Sequence, residues 1–173
     1  AHATPELFLV MRSAGFAQVD CTPDTASPSM LKNLQKNFGI EHLRSTADII
    51  REFDMPTMWF FIFGGPGETE ETVAETFEFI DTRISGKDMV HMTAGMRIYP
   101  GTGLYERALI DGVLAGGDPA TETRFYVSPA IGRERLYGII REASHRRPNC
   151  IPVWETAPPP AMMSEAVAMR AGY

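Results

Sequence analysis

The stretch that most restricts the fold runs from Met58 to Thr69, MWFFIFGGPGET. An apolar strand enters a glycine-rich turn, and the turn enters the start of an acidic, amphipathic helix. Two other stretches repeat this design. A short strand ends in Cys21-Thr22-Pro23-Asp24-Thr25, and another ends in Arg97-Ile98-Tyr99-Pro100-Gly101-Thr102-Gly103. Strands separated by helices pair in parallel through right-handed crossovers. The ligands of such sheets bind where the C-terminal ends of the strands meet loops and helix N-termini. The chain therefore presents three expected ligand loops on one edge.

The periodicities around these loops supply the other elements. Leu7, Val10, Met11 and Ala14 are spaced for an amphipathic helix, which Gly15 closes. Phe16 to Cys21 is the first expected strand. Pro28 opens a helix that turns Leu31 and Leu34 inward, and Leu43, Thr46, Ala47, Ile50 and Phe53 mark the next. Met55 to Gly64 is apolar on both parities, as expected of a parallel strand covered on both faces. Val73, Phe77, Ile80 and Ile84 form the helix after the turn. A third strand spans Val90 to Ile98, and Leu104 to Asp111 is helical. The order predicts an α/β fold: about three adjacent parallel strands near 16–21, 56–64 and 89–98, with helices over one face.

Past Gly112 the pattern weakens. Leu136, Ile139, Ile140 and Ala143 mark one helix, Trp154 to Ala161 reads as a proline-rich linker, and Met163, Ala166 and Val167 lie on a short terminal helix. The expected division is residues 1–112 for the strand-and-helix unit and 113–173 for a helical extension and tail.

Composition excludes several classes. The chain of 173 residues carries a net charge of −6, which argues against sequence-independent nucleic-acid binding. The apolar run Met58 to Phe63 is too short to span a bilayer. The start, AHATPELFLVMRSAG, does not read as a signal peptide. Two cysteines, Cys21 and Cys150, make no disulfide framework and suggest a reducing, cytoplasmic compartment. Two thiols also fall short of the usual four of an iron–sulfur cluster.

The third strand alternates. Val90, Met92, Ala94, Met96 and Ile98 form one face, and His91, Thr93, Gly95, Arg97 and Tyr99 the other. On the first strand Gln18, Asp20, Thr22 and Asp24 share a parity. These polar faces describe either a pocket with Asp20, Asp24, His91 and Arg97 as its titratable members, or the exposed face of an edge strand. The glycines at 64, 65 and 67 let backbone approach a ligand, but Glu68, Glu70 and Glu71 disfavour phosphate there. His42 beside Glu41 and Arg44, and His145 among Arg141, Arg146 and Arg147, read as solvated helix faces. Cys21 reads as a small core hydrophobe.

Taken together, the three loops resemble the C-terminal half of the core of radical S-adenosylmethionine (SAM) enzymes, over roughly residues 4 to 112. Thr22-Pro23-Asp24-Thr25 stands where the family has Gly-Ile-Glu-Ser after its fourth strand. Phe61-Ile62-Phe63-Gly64-Gly65-Pro66-Gly67-Glu68-Thr69 resembles the fifth-strand motif. Arg97 to Tyr105 resembles the sixth-strand motif, most closely in members with an N-terminal cobalamin-binding domain. Phe125-Tyr126-Val127-Ser128-Pro129 resembles a segment that follows the barrel in that subgroup. The family's CxxxCxxC cluster loop and its Gly-Gly-Glu stretch are not in this sequence. The resemblance implies half of a partial (β/α)6, TIM-like barrel. It implies a parent enzyme, an oxidoreductase or methyltransferase, that uses SAM, a [4Fe-4S] cluster and, in the subgroup it resembles, cobalamin on a small-molecule or lipid-like substrate. Asp24 and Thr25 would face the methionyl or ribose part of SAM. Phe63, Gly64, Ile98 and Tyr99 would lie near its adenine, and His91 and Arg97 would point into the lumen, with Asp20 beside them. This chain alone is expected to bind no cluster and to be inactive.

Two other readings stay open at this stage. One is a cofactor-independent (β/α) enzyme fragment that uses Asp20, Asp24 and Glu68 as acid and base. The other is a non-catalytic domain that binds partners through its sheet edges and methionine-rich tail. Exposed edges also predict self-association, with the first or third strand, or the lumen side near Trp59 and His91, covered by a second copy or by Met162, Met163 and Val167 of the tail.

Overall fold

The computed structural model describes residues 3–115 and 123–154. The expected linker after Trp154 and the terminal helix with Met162, Met163 and Val167 lie outside the described residues. The elements in chain order are α1 (Pro5–Ser13), β1 (Val19–Asp24), α2 (Pro28–Asn33), α3 (Ile40–Phe53), β2 (Thr57–Phe63), α4 (Glu70–Arg83), β3 (Met89–Ala94), β4 (Met96–Ile98), α5 (Gly103–Ile110), β5 (Arg124–Tyr126), α6 (Arg133–Arg146) and β6 (Cys150–Val153).

β1, β2 and β3 pair in parallel and in that order, as expected, and β6 adds a fourth parallel strand beside β3. β6 was not legible in the sequence because its four residues, Cys-Ile-Pro-Val, are too few to show a period. Its Pro152 is tolerated because β6 lies at the sheet edge among the described strands. Residues past 112 thus contribute both a strand and a helix to the same layer, with α6 packed on β3 and β6.

Helices α1, α3, α4 and α6 pack into one core on the sheet. Along β2 burial alternates strictly: Trp59, Phe61 and Phe63 are buried, and Met58, Phe60 and Ile62 are half-exposed. The buried set joins Val90, Met92 and Ala94 of β3 in a core with Leu43, Ala47 and Ile50 of α3, Val73, Phe77 and Ile80 of α4, and Leu136 and Ile140 of α6. Coverage of β2 on both faces is therefore corrected: its second face is half-exposed among the described residues, although Met89 and Ile151 on that side are buried in a small cluster with Met58. Trp59 is corrected too. It was expected on the lumen side, but it is fully buried under the helices, edge-on to Phe79, with its indole N–H 3.4 Å from Asp88 Oδ2.

Local chemistry sets the helix ends. Thr69 caps α4 in a reciprocal capping box with Thr72, Glu70 and Glu71 fill its first turn, and Arg83 its last. Thr4 caps α1 ahead of Pro5.

The third strand differs from its expected course. It stops at Ala94, and Gly95 turns the chain at φ +85°. A Cβ there would stand 3.2 Å from Phe125 Cβ and 3.3 Å from the Tyr126 carbonyl, so glycine is what admits β5 so close. Past this break, β4 pairs antiparallel with β5 in a separate two-stranded ribbon. The alternation read across residues 90–98 therefore spans two sheets. β1 also begins three residues later than expected, so that Thr22 to Asp24 belong to the strand.

Candidate functional site

The ends of β1, β2 and β3 share one feature. Each parallel strand closes on a residue with positive φ: Asp24 at +67°, Gly64 at +95° and Gly95 at +85°. For aspartate this is an uncommon conformation that needs support from its surroundings. All three lie at the C-terminal ends of adjacent parallel strands, the edge at which α/β sheets carry ligands.

At the end of β1, the register slips between Cys21, opposite Trp59, and Asp24, opposite Phe61. The extra residue breaks the parity that was expected to place Asp20 and Asp24 together. Asp24 is ion-paired with Lys36, both side chains about three-quarters buried. The sequence held no local signal for Lys36, which reaches the strand from beyond α2. Thr25 is buried, its hydroxyl 3.2 Å from that of Thr76 and accepting from the Ser27 amide at 3.1 Å. Ser27 in turn donates to Glu75 at 2.5 Å. The loop after β1 is thus fastened to α4.

At the end of β2, Glu68 departs furthest from a solvated helix-start glutamate. It is 1 % exposed, and its Oε2 accepts from the Gly64 amide at 2.5 Å and the Gly65 amide at 3.2 Å. The Thr72 hydroxyl donates to Oε1 at 3.3 Å. Burial pushes the Glu68 carboxyl up to about 7, while the two amides and Thr72 pull the other way. A proton held more tightly in the fold than in the open chain adds stability that is complete below about pH 4.5 and is lost as pH rises through about 7. Phe63 is buried on the helix side and stacks on Phe77 at 5.2 Å.

On the open face of the sheet, Asp20 lies opposite Met58, and Phe60 opposite His91. Asp20 is exposed and accepts from the Gln18 side chain at 2.8 Å. His91 is half-buried, its ring 4.9 Å from that of Phe60. Its Nε2 is buried without a hydrogen-bond partner among the described residues. Burial lowers the His91 pKa, and Asp20 partly offsets this. Phe60 was missed as a site residue because its parity within a wholly apolar run could not be assigned.

Beyond β3, Arg97 lies on β4 rather than on the strand of His91. Its guanidinium sits 5.0 Å from the Tyr99 ring centroid and donates to the Thr123 hydroxyl at 3.4 Å. Tyr99 is 54 % exposed, whereas Ile98 is buried in a small second core with Ala108, Leu114 and Tyr126. The structure therefore keeps Arg97 and Tyr99 reachable at the strand-end edge, holds Asp24 there under its ion pair with Lys36, and packs Thr25, Phe63 and Ile98 into its own interior. The three carboxylates of the acid–base reading have different partners: Gln18 for Asp20, Lys36 for Asp24, and the turn amides for Glu68.

The thiols do not suit a cluster. Burial pushes both Cys21 and Cys150 up to about 12. They lie on β1 and β6, the two outer strands of the sheet. No group of three His, Cys, Asp or Glu side chains suited to a metal ion occurs among the described residues. The residues present do not fit a [4Fe-4S] cluster.

Comparison with known proteins agrees with this architecture. The model of the radical SAM superfamily matches residues 1–80. No curated protein matches the chain. Among solved structures, the chain is similar to the radical SAM methyltransferase TsrM from Kitasatospora setae with tryptophan substrate and a SAM analogue bound: TM-score 0.68, 20% identity, 96% of this chain and 41% of that one. It is likewise similar to the same methyltransferase with cobalamin and a [4Fe-4S] cluster bound: TM-score 0.67, 20% identity, 99% of this chain and 39% of that one. The chain thus spans well under half the length of the structures it matches. Family model and fold agree: residues 1–80 match the radical SAM superfamily, and the fold is similar to part of the TIM-like core of the structures matched.

Proposed function

We propose that this chain forms the strand-end half of the SAM and substrate site of a radical SAM methyltransferase, with a cobalamin-dependent enzyme as the parent. The observation that carries the reading is the row of left-handed residues, Asp24, Gly64 and Gly95, that ends three adjacent parallel strands at one edge. Similarity of fold to TsrM, solved with a SAM analogue and with cobalamin, supports the class of chemistry.

SAM, when bound, supplies the alkyl group or the reactive fragment. The chain's own part is to orient and to exclude water. Asp24 offers a carboxylate once Lys36 is displaced, and Tyr99 offers an exposed ring with Arg97 behind it. Phe60 and His91 line the open face, where a small-molecule substrate would rest. Thr25, Phe63, Gly64 and Ile98 support this rim from beneath. The cluster is the part that this chain cannot supply from its own thiols.

Titration of the isotope-labelled chain with S-adenosylhomocysteine tests the reading. Amide shifts are expected at Asp24, Gly95 and Tyr99, weakened in Asp24→Ala. Shifts confined to the helix-covered side would overturn it. In the same preparation, anaerobic treatment with iron and sulfide is expected to leave no stoichiometric cluster. A charge-transfer band that disappears in Cys21→Ala would contradict that expectation.

A second copy of the chain is the proposed cover for what remains open. Among the described residues the outer edge of β1 is unpaired, and α1 exposes Leu9 and Val10 at 56% and 65%. Sedimentation at micromolar concentration should show a dimer or larger species, and a strictly monomeric profile would reject the idea. Among the described residues no helix is long and apolar enough to cross a membrane.

A further inference from the structure

A turn rich in glycine at the start of a helix is ordinarily a place where backbone N–H groups receive an anion. In this turn the N–H groups of the glycine pair are already used. The Gly64 and Gly65 amides both end on Glu68 Oε2. The carbonyl of Gly65 accepts from the Glu68 amide at 3.0 Å, and the carbonyl of Gly64 accepts from the Ser128 amide at 2.9 Å. Two donors at the start of α4 are engaged as well. The Thr69 amide ends on Thr72 Oγ1 at 3.0 Å, and the Thr72 amide on Thr69 Oγ1 at 3.4 Å.

Space is filled as fully as valence. A Cβ on Gly64 would stand 2.9 Å from Leu136 Cδ2. One on Gly65 would stand 3.1 Å from Met30 Cε and 3.2 Å from Met96 Sδ. The carboxylate that fills the cradle comes from the turn itself and is almost wholly buried.

We propose that the Glu68 carboxyl group is the resident acceptor of the Gly64–Gly65 turn, and that it closes the end of β2 to phosphate- and carboxylate-bearing ligands. Glu68 is thereby a specificity-determining residue. It leaves the strand end to an uncharged ligand group that meets the turn by packing rather than through its N–H donors. An external anion could enter only by displacing a tethered carboxylate, whose effective concentration at the two amides is that of an intramolecular partner. The inference concerns this turn alone and does not depend on SAM being the ligand.

Amide spectra of the whole chain, recorded with phosphate or formate against chloride at equal ionic strength, provide the test. In the native chain, the Gly64 and Gly65 resonances are expected not to move with phosphate, and a saturable shift there would overturn the proposal. Glu68→Ala is expected to melt at lower temperature and to recover in a saturable way with formate, which replaces the missing carboxylate. Chloride should not have this effect. Equal recovery in formate and chloride would also overturn the proposal. Should Glu68→Ala fold poorly, the refolded yield in formate against chloride gives the same decision. Neither readout requires S-adenosylhomocysteine to bind, so failure here is distinguishable from failure of the SAM reading.

Discussion

Trp59→Ala is expected to lower the free energy of unfolding by about 3–5 kcal/mol. Trp59 is fully buried at the middle of β2, between α3 and α4, and its ring packs on Phe79. Its removal leaves a cavity in the densest part of the layer and withdraws a donor from the buried Asp88, which also accepts from the Thr57 amide at 3.1 Å. A domain of this size has about 5–15 kcal/mol in total, so the loss would be a large share of the whole. Urea titration followed by far-ultraviolet circular dichroism is the measurement. Trp59→Phe keeps most of the volume and should lose much less. If the two variants unfolded at the same denaturant concentration, the ring would not be part of the core as described.

Gly64→Ala is the second large effect. Strain from holding a side chain at φ +95° costs about 1–3 kcal/mol. The new Cβ also meets Leu136 Cδ2 at 2.9 Å, and Leu136 is fully buried and cannot swing away freely. Any relaxation at this point pulls on the Gly64 amide that Glu68 holds. Gly138, in the interior of α6, is the contrast. A Cβ there meets nothing within 4 Å and its φ is ordinary. Gly138→Ala should therefore stabilise the chain by about 0.5–1 kcal/mol, the helix-propensity gain. A Gly64→Ala variant as stable as Gly138→Ala would refute the strained turn.

What the sequence showed and what it hid follow from the range over which each signal acts. The helix–strand order was legible because the periods of α3, α4 and α6 extend over 14 residues each. The strand order followed from chirality and short connections. The face of β2 was not legible, since Met58, Phe60 and Ile62 are as apolar as the buried set between them. The role of Glu68 was hidden for a different reason. Its neighbours Glu70 and Glu71 do sit at a helix start, and only the fold reveals that Glu68 turns back into the glycines. Some spacing signal existed, because a carboxylate three or four residues after a glycine pair can reach both amides. Lys36 had none, and neither did the bulge that displaces Asp24, because both depend on how β1 meets β2. The break at Gly95 was signalled only by a glycine within a strand-like alternation, a known mark of a bulge or a close approach.

The order of the sheet has a consequence for how the chain comes into being. β2 is laid beside β1, and β3 beside β2, each immediately after a single helix or helix pair. Every new strand finds its neighbour already made, so the first three can zip in the direction of synthesis without waiting for distant residues. β6 alone arrives late, after the β4–β5 ribbon and α6, to pair with β3. Until it does, the emerging polypeptide carries β3 as a temporary margin, and the β4–β5 ribbon is made during that interval, directly beyond Gly95.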